Sequence, residues 1–164
     1  MNKNMKKKYV QGFTLIEILI VIGIITILAG IVLVAINPAR QFRQANNTQR
    51  LSNANAILNA IGQYAVDNKG DISGLSLPST ARDIGSSGSD ANAVCAKLVP
   101  KYITALPSDP DSSAKGVGVT NCGSTYNIGY QVQASTTGQV VVSAPLAKNA
   151  DTGVVDATLI FVTR

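Results

Sequence analysis

At 164 residues the chain has room for one modest domain, and its formal charge of +5 is concentrated at the start, where Lys3, Lys6, Lys7 and Lys8 supply four of the fourteen basic residues. Beyond Gly12, ten basic residues face nine acidic ones, which removes the main argument for a nucleic-acid partner. Histidine is absent, so the usual neutral-pH acid–base group and the commonest zinc ligand are both missing, and no nucleophile–base pair, phosphate-cradling loop or framed carboxylate pair points to an enzyme.

From Phe13 to Ile36 the sequence FTLIEILIVIGIITILAGIVLVAI is apolar, with Glu17 as its one charge. As a helix it would be about 36 Å long, enough to cross a hydrocarbon core of about 30 Å. The lysines before it predict a cytoplasmic N-terminus and an exported remainder. A secretory signal would have a shorter apolar stretch followed by a small-residue cleavage site, and neither is present.

After Pro38 a polar, alanine-rich segment runs to Asn68, in which Leu51, Ala54, Leu58, Ile61 and Ala65 recur at helical spacing and predict one buried face. Asn37 is placed to cap this second stretch and Pro38 to open its first turn. Residues 69–92, rich in Ser, Gly and Asp, read as a loop, and a short helix over Ala93–Leu98 carries Cys95. Strands are expected at Thr125–Ala134, Gln139–Ala144 and Val154–Thr163, the first with Tyr126, Ile128, Tyr130 and Val132 alternating inward. The fold class is therefore α+β: a long N-terminal helix, half apolar and half amphipathic, packed on a small antiparallel sheet of about three to four strands. In an exported chain Cys95 and Cys122 are expected to form a disulfide, the alternative being two free thiols in a reducing compartment.

The block KKKYVQGFTLIE, Lys6 to Glu17, resembles the type IV pilin and pseudopilin family. The resemblance implies a leader over residues 1–12 with charges Lys6, Lys7 and Lys8, cleavage by a prepilin peptidase between Gly12 and Phe13, and N-methylation of the new Phe13 terminus. It also implies a homopolymer built through segment 13–36 by inner-membrane assembly machinery, with lipid around that helix beforehand. Glu17 would then meet the freed amine of a neighbouring copy. A carboxylate inside an apolar helix costs about 2.5–3.5 kcal/mol on insertion scales, which favours such a partner. The alternative is a carboxylate favoured simply by the helix N-terminus. Family members often carry a proline at the position of Val34, and this chain does not. Gly23 and Gly30 would permit close helix approach, although glycine is common in membrane helices anyway.

Tyr102–Ser113 resembles the Leu-Pro-x-Asp-Pro loop of major pseudopilins, which implies calcium held by Ser108, Asp109 and Asp111; a proline-rigidified turn with solvated acids is the competing reading. Lys97, Lys101 and Lys115 are either a small basic patch or ordinary surface charge. Three functions remain: a pilus subunit, a type II secretion pseudopilin, or a single-span anchor carrying an extracytoplasmic binding module that never polymerises. Domain boundaries are set at 1–12, 13–36, 37–68 and 69–164.

Overall fold

A computed structural model describes residues 12–86, 91–112 and 115–164. The expectations for leader residues Lys6, Lys7 and Lys8 lie outside the described residues. By internal contacts the chain divides at Pro38 into an N-terminal unit and a unit from Ala39 onward.

The N-terminal unit is helix α1, Leu15–Ile36. Apart from Glu17 and Thr26 its side chains are apolar all round, so no amphipathic face develops, and none is buried. Exposure of its large aliphatic residues runs from 50% at Ile36 to 85% at Val34. The hydroxyl of Thr26 donates to the carbonyl of Ile22 at 2.7 Å, so this polar group is satisfied within the helix. The helix closes at Asn37, which takes a left-handed conformation (φ 46°) tolerated by asparagine. Asn37 thus terminates the first helix, where the sequence suggests a cap for the second.

The second unit takes in all but the first residue of α2, Pro38–Asp67, and continues through a 3-10 turn at Ser73–Leu75, strand β1 (Arg82–Gly85), helix α3 (Asn92–Leu98), β2 (Asn127–Ala134), β3 (Val140–Ser143) and β4 (Phe161–Thr163). The four strands form one antiparallel sheet in the order β1-β2-β3-β4. Ile57, Leu58 and Ile61 of α2 join a core with Leu75, Ile84, Val94, Leu98, Leu106 and the inward row Ile128, Tyr130, Val132 of β2. Fully burying an aliphatic side chain of this kind contributes about 1.5–3 kcal/mol, which makes this row the main support of the sheet.

Ala54, Leu58 and Ile61 are buried as the spacing predicts, and the Tyr126–Val132 alternation holds. Three expectations are corrected. Leu51 is 47% exposed because Arg50, one position round the helix, takes the inward place. Residues 69–92 are not loop throughout: Arg82–Gly85 pairs with β2, with a register shift between Asp83 and Gly85. The last strand is only Phe161–Thr163, since Asp156 accepts from the Thr158 amide and turns the chain, leaving Val155 in an isolated bridge with Lys148. Cys95 and Cys122 form a disulfide that ties the buried face of α3 to the segment before β2, with Cα atoms 5.6 Å apart.

Candidate functional site

Gly12 and Phe13 are exposed and outside any helix or strand, in the accessible backbone that a peptidase needs. Thr14 is the N-cap of α1, in extended conformation. The carboxylate of Glu17 accepts hydrogen bonds from the Thr14 amide and from the Thr14 hydroxyl, both at 2.8 Å, while the Glu17 amide donates to the Thr14 hydroxyl oxygen at 3.3 Å. This reciprocal capping box satisfies donors at the helix start that would otherwise be orphaned in an apolar medium. Glu17 therefore has a partner within its own chain, through groups that lie after the Gly12–Phe13 bond. Thr14 was not singled out from the sequence, although the pattern Thr-x-x-Glu ahead of an apolar run carries the signal.

In the second unit the Ser108–Asp111 loop is organised by α2. Arg50 is fully buried; its Nε donates to Asp109 Oδ2 at 2.6 Å and its Nη2 to Asp109 Oδ1 at 3.0 Å and Asp111 Oδ2 at 2.9 Å. Its Nη1 donates to Asn47 Oδ1 at 2.9 Å. Burial works against the Arg50 charge, but the bonds to Asp109 and Asp111 more than offset it and hold the guanidinium pKa above its ordinary value. The Lys148 ammonium, 2.8 Å from Asp111, is the largest of the causes that hold that carboxyl below the usual range, with Arg50 adding to it. The Ser108 hydroxyl donates to the Val117 carbonyl at 2.7 Å. Among the described residues no group of three or more Cys, Asp or Glu converges as a metal-ligand set. Ser108, Asp109 and Asp111 are thus adjacent, but the two acids are turned toward cations of the protein itself.

Further along α2 the same face extends the polar contact. Asn47 donates to the Lys148 carbonyl at 2.6 Å, and Arg43 donates to the Ala150 carbonyl at 2.8 Å. Arg43, Asn47 and Arg50 are spaced four and three apart, in register with Ala54, Ile57 and Ile61. The inward face of α2 therefore changes chemistry halfway, polar first and apolar afterwards, and a search for apolar period alone passes over its polar half.

Of the lysines named from the sequence, Lys101 binds Asp67 at 3.0 Å and the Tyr102 hydroxyl at 2.8 Å, so much of its charge is already matched. Tyr102 in turn stacks edge-on with Tyr64 at 5.7 Å.

Residues 7–33 match the prokaryotic N-terminal methylation motif family. No curated protein and no solved structure matches the chain. The motif implies prepilin peptidase processing and filament assembly in general, and with the apolar helix it points to a membrane-anchored precursor. The matched segment spans the Gly12–Phe13 bond, the capping box and most of α1, and it supports a likeness of this chain to type IV pilin-like proteins, in the broad sense that includes pseudopilins.

Proposed function

We propose that this protein is a structural subunit of a type IV pilus-like extracellular filament, assembled through its apolar helix after cleavage between Gly12 and Phe13, and that it has no catalytic activity of its own. The observation that carries this reading is α1 itself: a 22-residue apolar helix, long enough to cross a membrane, with none of its residues buried. Such a surface is stable only against lipid or against other helices of the same kind. The precursor accordingly sits in the bacterial inner membrane with its head outside the cytoplasm, and helices of neighbouring copies replace lipid on assembly. Glu17, held by Thr14 in the isolated chain, is the acid that meets the methylated Phe13 amine of a neighbour.

The test is microscopy of the sheared surface fraction from cells expressing the chain with its assembly machinery. Long fibres containing the protein support the pilus reading. Short membrane-bound polymers that accompany protein secretion support the pseudopilin reading, which rests on the likeness of the Leu106–Pro110 loop to the pseudopilin loop. Protein that remains monomeric in the membrane removes both and leaves the anchored binding module.

A further inference from the structure

We infer that the Arg50 guanidinium serves as the head's own built-in cation, filling the place between α2 and the 106–112 loop that calcium would have to take, so that the head folds without a divalent metal. Calcium seeks six to eight oxygens at about 2.3–2.6 Å. Here both Asp109 oxygens and Asp111 Oδ2 face Arg50, and Asp109 Oδ1 accepts in addition from the Asp111 amide at 2.8 Å. Asp111 Oδ2 is shared with Lys148, and the Asn47 side-chain oxygen is spent on Arg50 and the Lys148 amide.

Charge decides the matter as firmly as geometry. Two carboxylates, Asp109 and Asp111, are matched by two cations, Arg50 and Lys148. A divalent ion added to this cluster would leave an excess of two positive charges beside a guanidinium that has no exposure to water. Burying uncompensated charge costs several kcal/mol per ion, so calcium could enter only by expelling Arg50. The donor set does not fit the metal that the resemblance of this loop implies.

The loop is otherwise complete in its own bonds. The Asp109 amide donates to the Ile128 carbonyl of β2, the Asp109 carbonyl accepts from the Ser112 and Gly116 amides, and Leu106 and Val119 bridge its two ends. What these bonds do not provide is a tie to α2; Arg50 supplies the charged one, beside a longer bond from the Asn53 side-chain amide to the Ser108 carbonyl at 3.4 Å.

The experiment is thermal unfolding of the full chain in detergent micelles, followed by circular dichroism, with EDTA and with millimolar calcium chloride. The wild-type midpoint is expected to be the same in both. Arg50→Gln is expected to lower it by roughly 10–20 °C, because Asp109 is left buried without its counter-charge. The double variant Arg50→Gln with Asp109→Asn, which removes both charges, is expected to recover at least half of that loss. A wild-type midpoint that falls with EDTA and returns with calcium would overturn the inference, as would Arg50→Gln melting with the wild type. If Arg50→Gln does not fold, the chelator comparison and the double variant still decide.

Discussion

Gly129, in the middle of β2, lies so close to Asp109 that a Cβ added to it would come within 2.8 Å of the Asp109 Cβ and 3.0 Å of the Ser112 Cβ. Its φ of +77° is also in the region that side-chain-bearing residues avoid. One glycine therefore lets the Ser108–Ser112 loop lie flat on the sheet, with the Asp109 amide reaching the Ile128 carbonyl at 2.8 Å. Gly129→Ala is expected to destabilise the head by about 2–4 kcal/mol, backbone strain and contact combined. Chemical denaturation of the purified chain measures it; a change below about 0.5 kcal/mol would show that the loop can move away freely.

The capping box makes separate predictions for its two members. Thr14→Ala removes the hydroxyl that caps α1 and is expected to weaken the helix start by about 1 kcal/mol, while Thr14→Ser keeps it. Faster amide exchange at Glu17 in the alanine variant alone is the expected readout. Glu17→Val is expected to be processed normally yet to give few or no fibres, because the neighbouring amine loses its counter-charge. Normal fibre yield from that variant would remove the pairing from the account.

Cys95 and Cys122 are 27 residues apart and join α3 to the approach of β2. By the loop-entropy argument, reduction is expected to lower head stability by roughly 3–4 kcal/mol. Denaturant unfolding with and without a reducing agent checks this, with the Cys95→Ser, Cys122→Ser double variant as control. Coincident curves would mean that the buried packing of α3 suffices without the covalent tie.

Titration of the head should be asymmetric and can be signed from two groups. Asp111 titrates below the ordinary 3.8 through Lys148 first and then Arg50, with burial opposing them, so its contribution is present above that value and lost as pH falls through its lower folded value. Tyr130 is pushed up to about 12, chiefly by burial, with the Asn53 hydrogen bond opposing. Its folded state holds the proton more tightly, so that contribution is complete below the ordinary 10 and lost as pH rises through about 12. Stability is expected to be flat from about pH 5 to 9 and to fall at both ends. Tyrosinate absorbance should show Tyr130 ionising late or only on unfolding; ionisation of every tyrosine near pH 10 in the folded protein would contradict the burial of its hydroxyl.

The sequence is most legible where one physical demand acts alone. A helix long enough to cross a membrane and apolar on every face but for Glu17 and Thr26 has one composition throughout, so α1 and its boundaries near Leu15 and Ile36 are readable directly. The period-two pattern of Ile128, Tyr130 and Val132 is equally clear, because one face of β2 meets the core. Legibility fails where polar groups take core positions. Arg50 looks like a surface residue until Asp109 arrives from 59 positions away, and Leu51 is then misassigned to the buried face. The strand Arg82–Gly85 has a single strongly apolar residue, Ile84, and forms because β2 offers an edge. Likewise Val154–Thr163 has strand composition, but Asp156 turns it before it can pair along its length.

The N-terminal mass of the protein recovered from its assembled form tests the central claim most directly. The account predicts a chain that starts at Phe13, one methyl group heavier than the unmodified residue and free of the leader with Lys6, Lys7 and Lys8. Recovery of the protein with Met1 to Gly12 still attached would contradict it.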